Sequence, residues 1–290
     1  MSMSPASPNT FTGRAELRCR LPCAGHAAPG QRGFRKPMSK QNRHQLILDL
    51  VQAKGNVQVS ELAARIGVSE MTIRRDLEAL EQVGALTRVH GGAAAPPSRS
   101  YEPAYHARRL QRVDEKERIG RAAAELIHDG ETVIIDAGTT TLEVAKALRG
   151  RRNLRVLALS LRIADLLADE PGLTVMIPGG ITRPGERSII GAMTQRAFTD
   201  LYFDTVVLSA GGVDPEAGVT EYIPEDAAVK QAAAASARRK IVVTDSTKIG
   251  TIAFARVCGV EQLDTVVTDK NVDSALAHAI AERGPEVVTV

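Results

Sequence analysis

Residues 68–93 read V-S-E-M-T-I-R-R-D-L-E-A-L-E-Q-V-G-A-L-T-R-V-H-G-G-A. A helix-start signal, a basic helix face, a turn and a short basic strand succeed one another here in the order a winged helix-turn-helix needs. Ser69 is placed to cap the helix. At about 100° per residue, Ile73, Leu77 and Leu80 share one stripe, while Met71, Arg75 and Glu78 lie roughly opposite, with Thr72 and Arg74 on the flanks. After Gly84, Leu86 to His90 alternate like a half-buried strand and meet Gly91-Gly92, which reads as the wing.

Upstream, Leu46, Ile47, Leu50 and Val51 recur at helical spacing and give a first helix, ended by Lys54-Gly55-Asn56. Ser60 is expected to cap a short second helix, and Gly67 to close it where a left-handed backbone suits only glycine. A major groove admits a helix whose first turns reach base edges. Arginine reads guanine there, and Thr or Met can touch a thymine methyl. Thr72 and Arg75 are therefore the expected base contacts, with Met71 beside them. Ser69 and Arg74 suit phosphate, and Arg88 and His90 of the wing suit the backbone or minor groove. Asp76 and Glu78 read as intrahelical partners of neighbouring arginines. Charge alone does not single out this module, because the bases and acids of residues 38–95 nearly cancel and the whole chain carries only +3. Placement of the bases carries the argument.

The chain has 290 residues, enough for a small module and one larger domain. No segment is apolar for long enough to span a bilayer, and a cytoplasmic protein is expected. Residues 1–37 lack periodicity and read as a disordered or mis-assigned extension, with Met38 as the native start. Cys19, Cys23 and His26 lie there, but a metal site needs about four ligands, so no metal or cofactor is expected. Cys258 reads as a small core filler. The reading divides the chain into a DNA-binding domain at 38–95, a linker at 96–107 and an effector-binding and oligomerisation domain at 108–290. The proline-punctuated stretch 93–103 should hold the module away from the larger domain.

Beyond it, apolar β-branched runs at 132–135, 155–159, 173–177, 205–208, 240–244, 265–268 and 286–290 alternate with helical stretches. That alternation predicts an α/β domain with a mostly parallel sheet covered on both faces, whose ligands sit at the carboxyl ends of the strands. Four turns come directly after strands and carry unusual residues. Asp136, Gly138, Thr139, Thr140 and Thr141 form the first, opening a helix as an anion cradle would. Gly179 and Gly180 form the second, Gly211, Gly212 and Asp214 the third, and Asp245, Ser246 and Lys248 the fourth. Together they predict a small anionic polyol as ligand.

The stretch 68–93 resembles the signature of the DeoR family of bacterial transcriptional regulators almost letter for letter, and the resemblance extends more loosely to the C-terminus. In that family the effector domain is similar in fold to ribose-5-phosphate isomerase and senses phosphorylated sugars or related metabolites. Its D-x-G-T-T turn is matched by Asp136, Gly138, Thr139 and Thr140, and its D-S-S-K pattern by Asp245, Ser246 and Lys248, with Thr247 replacing a serine. Lys230 matches the lysine of the family's V-K segment. Where the family usually has Asn-Ser after the second strand, this chain has Leu159-Ser160, so Ser160 remains without the amide that would hold a ligand hydroxyl. The resemblance implies a repressor of sugar or related carbon-metabolism genes, relieved by a phosphorylated metabolite. It also implies a homo-oligomer, dimer or tetramer, on double-stranded operator DNA.

The alternative is a sugar-phosphate isomerase with an accessory DNA-binding arm, which needs a carboxylate base at the pocket. In the related isomerases the turn reads D-G-A-D, and aligning Gly212-Val213-Asp214 with its last three letters puts Gly211 where the first aspartate belongs. Sensing is favoured over turnover, and no catalytic residue is assigned.

Overall fold

Ser39 accepts the amide of Asn42 and opens the first helix, α1, Lys40–Lys54. The computed structural model describes residues 38–82, 84–94 and 98–290, and the expectations for Cys19, Cys23, His26 and the rest of the leader lie outside them. A short strand β1, Asn56–Gln58, leads directly into α2, Val59–Ile66. Ser60 therefore lies inside the first turn and does not cap it. The cap position falls to Gln58, and the amide of Val59 finds its partner at 2.8 Å in the carbonyl of Gly91. Gly67 ends the helix at φ 77°, ψ 35°, the left-handed conformation its place in the sequence calls for. Helix α3, Glu70–Gln82, comes next, with the Ser69 hydroxyl accepting the amide of Thr72 at 3.2 Å.

Strands β2, Thr87–Val89, and β3, Gly92–Ala94, form the wing, and β3 pairs antiparallel with both β1 and β2. The half-buried alternation expected of this strand is absent: every residue of β2 is exposed, and burial along this stretch stops at Leu86. Ile47, Leu50, Val51, Leu62, Ile73, Leu77 and Leu80 close the module's core.

The module is not held away from the chain that follows it. The next helix, α4, Tyr105–Leu110, buries Ala107 in the module's own core, and Gln41 of α1 donates to the carbonyl of Leu110 at 3.2 Å.

The larger domain continues with α5 (Val113–Glu125), β4 (Thr132–Ile135), α6 (Thr139–Ala147), β5 (Leu154–Ala158), α7 (Leu161–Leu167) and β6 (Leu173–Met176). A hairpin of β7 (Ile181–Thr182) and β8 (Ile189–Ile190) precedes α8 (Ala192–Arg196) and β9 (Phe203–Leu208). Then come β10 (Gly212–Asp214), β11 (Gly218–Glu221), α9 (Pro224–Ser236), β12 (Ala237–Val243), β13 (Ala255–Cys258), β14 (Thr265–Thr268), α10 (Ser274–Ala281) and β15 (Glu286–Thr289). Seven strands make one parallel sheet in the order β15-β14-β12-β9-β4-β5-β6, while β10, β11 and β13 make a separate antiparallel sheet.

Alternation along the central strands fills both faces. Ile134, Leu157, Val206, Leu208 and Val242 pack with Ala227, Val229 and Ala233 of α9 on one side. Val133, Ile135, Val156, Val207 and Ile241 pack with Ile119, Leu142, Ala145 and Ile163 of α5, α6 and α7 on the other. Cys258 is buried in the first of these cores, and burial pushes its thiol up to about 11, as suits an inert filler. No helix among the described residues is long and apolar enough to cross a membrane.

Candidate functional site

The recognition face of α3 is built by burying its opposite side. Ile73 and Leu77 are buried in the module core, which leaves Met71, Arg74 and Arg75 exposed and Thr72 half-buried. Arg74 lies 3.3 Å from Glu70, one turn back, whereas no ion pair or hydrogen bond among the described residues engages Arg75. The Ser69 hydroxyl is 3.0 Å from that of Thr72, so both are engaged at the helix start. Arg88 and His90 are exposed on the wing, with Arg88 leaning on Glu81 at 3.8 Å. Asp76 differs from expectation. It is buried and takes its partners from α1, accepting from Arg43 Nη2 and meeting His44 Nε2, each at 3.0 Å. Burial pushes its carboxyl up, but Arg43 and His44 outweigh that and hold it below the usual carboxylate range. Glu78 is exposed and makes no ion pair among the described residues. The aspartate ties α3 to α1 through Arg43 and His44.

The second site lies where the direction of strand progression reverses, between β4 and β9, at their carboxyl ends. A cavity of about 290 Å³ opens there. Of the expected effector residues, Gly138, Thr139, Thr140, Lys230, Asp245 and Lys248 line it. Gly138 precedes α6, and a Cβ at this position would stand 2.8 Å from that of Ser209, so the β4 and β9 turns are packed too closely for a side chain. The first turn of α6 thus lies at the cavity, with Gly138, Thr139 and Thr140 in its lining.

Lys230 and Glu221, both lining the cavity, belong to a buried charged group. Lys230 Nζ bonds the carboxylate of Glu221, approaches Asp136 at 2.9 Å and donates to the Ser209 carbonyl at 3.0 Å. The Asp136 carboxylate also accepts the Ser209 amide at 2.9 Å. Burial opposes the charge on Lys230, yet Asp136 and Glu221 outweigh it and hold its pKa above the ordinary lysine value. Burial likewise pushes Glu221 up, and Lys230 holds it down.

Lys248 Nζ meets the Tyr222 hydroxyl at 2.5 Å and lies 5.1 Å from the centre of its ring. Asp245 accepts the amide of Thr247 at 3.1 Å, and Ser246 is turned away, its amide and hydroxyl bound to Asp269 at 2.7 and 3.0 Å.

The structure does not bring the other expected residues to the cavity. Thr141 is fully buried, with a hydroxyl that has no partner among the described residues. Ser160 caps α7, accepting the amide of Arg162 at 3.2 Å, and Leu159 beside it is core. Gly179 and Gly180 lie before β7, and Gly211 and Gly212 continue into β10. Asp214 closes the β10–β11 turn by accepting the amides of Glu216 and Ala217, both at 2.9 Å.

Several lining residues carry no sequence signal. Lys116 sits in D-E-K-E-R, which reads as a solvated helix face, yet it is buried, donates to the carbonyl of Gln111 at 2.9 Å and lines the cavity. Burial lowers its pKa to about 8. Arg108, Arg183, Glu102, Glu186 and Asp226 form one network beside it: Arg108 joins Glu102 at 2.8 Å and Glu186, and Arg183 joins Glu102 at 2.6 Å and Asp226. Burial pushes Glu186 up to about 7 and Asp226 up to about 6. Three carboxylates crowd two guanidiniums there.

The profile of the DeoR C terminal sensor domain matches residues 111–270, and that of the DeoR-like helix-turn-helix domain matches residues 43–99. The uncharacterized HTH-type transcriptional regulator YgbI of Escherichia coli (strain K12) is 33% identical over 241 residues, 83% of this chain and 94% of that protein. The glycerol-3-phosphate regulon repressor of Escherichia coli (strain K12) is 34% identical over 232 residues, 80% of this chain and 92% of that protein. Among solved structures, ribose 5-phosphate isomerase A from Methanocaldococcus jannaschii aligns with a TM-score of 0.36 and 13% identity over 47% of this chain and 54% of that one, a likeness too slight to carry any functional conclusion.

Proposed function

Because the chain belongs to the DeoR family of transcriptional regulators, we propose that residues 38–95 bind duplex operator DNA and that the cavity of residues 108–290, across a linker at 96–107, takes a phosphorylated sugar or similar anion. The relatives are named as regulators, and the chain is a regulator of repressor type, not an isomerase. Thr72 and Arg75 read bases, Met71 supports them, and Ser69, Arg74, Arg88 and His90 hold the backbone. One observation carries the DNA reading: Arg75 stands exposed, with no ion pair among the described residues, on the face of α3 that the core leaves outside.

Cationic groups that line the cavity, Lys116 and Lys248 among them, and its position at the start of α6 support the anion reading. Effector binding at Gly138, Thr139, Thr140, Asp245 and Lys248 relieves repression by favouring a state with lower affinity for DNA. Lys230 lines the same cavity, and Asp136 supports it from behind. The protein acts in the cytoplasm as a dimer or tetramer, matching operators with two half-sites.

The test is quantitative binding to fragments of the chain's own genomic neighbourhood. Arg75→Ala should lower discrimination between the preferred fragment and unrelated DNA by about 1–3 kcal/mol; unchanged discrimination rejects the base-reading role.

A further inference from the structure

The cavity does not end within the sensor domain. Gln45, Leu48 and Asp49 of α1 line it together with Arg112, so one wall belongs to the helix that Asp76 ties to α3. Arg112 is the residue that bridges the two. Its Nη2 donates to Asp49 Oδ1 at 2.9 Å, and the same oxygen accepts Gln45 Nε2 at 2.8 Å. Arg112 also holds a backbone conformation that side chains rarely adopt, φ 51° and ψ 44°, at the start of α5. Its Nε is buried and has no hydrogen-bond partner among the described residues.

A guanidinium presents a fork of donors suited to a phosphate or carboxylate, and here one side of that fork is used while another donor is buried unpaired. A strained backbone and an unsatisfied buried donor each cost free energy, so they persist where something else repays them.

We propose that Arg112 is a contact for the anionic group of the effector, and that Asp49 of the DNA-binding module competes with that group for its guanidinium. An anion that takes Arg112 removes one of the bonds holding α1 to the sensor domain, and through Asp76 this bears on α3. By linkage, Asp49's hold on Arg112 must in turn weaken anion binding. The inference rests on the proposed effector role of the cavity and adds the residue through which occupancy reaches the module.

The competition makes the two partners respond in opposite directions. In calorimetric titration of the full chain with inorganic phosphate, Arg112→Gln should weaken binding about tenfold, the loss of a charge-assisted bond. Asp49→Asn should tighten it severalfold, because the anion no longer displaces a carboxylate. Misfolding cannot produce a tightening. Thr140→Val, at the α6 end of the cavity, should weaken binding without touching the junction.

If phosphate binding is lost in Thr140→Val but unchanged in both junction variants, or weakened in both, the cavity reading stands and this inference falls. If the unaltered protein and Asp49→Asn both fail to bind phosphate, the cavity reading falls and takes the inference with it.

Discussion

Arg75 and Asp76 are adjacent in sequence and opposite in fate. The apolar stripe of Ile73, Leu77 and Leu80 fixes which side of α3 is buried, so the exposure of Arg75 was legible from spacing alone. Asp76 was not, since its partners Arg43 and His44 stand more than thirty positions away and no local pattern announces them. Lys230 shows the same limit. The family resemblance points to it as a ligand contact, whereas its Nζ is engaged by Glu221, Asp136 and Ser209. Lys230→Met should destabilise the protein by about 3–5 kcal/mol in denaturant unfolding, because two carboxylates stay buried without their cation; a cost near zero would mean that the carboxylates are protonated or solvated.

Glu186 allows a test by pH. Its ordinary value is 4.5 and burial raises it to about 7, so between these the folded protein holds a proton that the unfolded chain releases. Stability contributed here is therefore lost as pH rises through that window. The melting temperature should fall from about pH 5 to about pH 7, and Glu186→Gln should flatten the fall; an unchanged slope assigns it to other groups.

Among elements, the seven strands of the parallel sheet were legible because each is a run of β-branched and apolar residues bounded by a helical stretch. The structure shifts their ends by up to three residues, as at β12, which begins at Ala237 and not at Lys240. The pieces that escaped are β1, β3, α4, the β7–β8 hairpin and the β10-β11-β13 sheet, with strands of only two to four residues. Such lengths carry no period to read. Ser60 and Ser69 illustrate how context decides a cap. Both precede helical runs, yet only Ser69 accepts an amide, because β1 already delivers the chain to α2 and supplies the Gly91 carbonyl as a partner. Ser69→Ala should accordingly cost about 1 kcal/mol of stability in chemical denaturation, and Ser60→Ala close to nothing. Equal losses would contradict the assignment.

At the scale of the whole molecule, the sequence separates a DNA-binding module from a sensor domain but conceals how closely they meet. A proline-punctuated connection suggests distance, whereas Ala107 enters the module's core and Arg112 reaches Asp49. Under the proposed reading, an anion held among the strand ends would reach α1 through that junction and, through Asp76, α3. Lys248 lines the same cavity but pairs with Tyr222 and not with a residue of α1, so its removal should leave operator binding intact while abolishing the response to effector.

The most direct measurement is fluorescence anisotropy of a promoter fragment from the chain's own genomic neighbourhood, titrated with the protein in the presence and absence of a panel of sugar phosphates. The account predicts tight, salt-sensitive binding that one phosphorylated compound releases in the unaltered protein but not in Lys248→Ala. No preference for any fragment, or binding that every compound leaves unchanged, would contradict it.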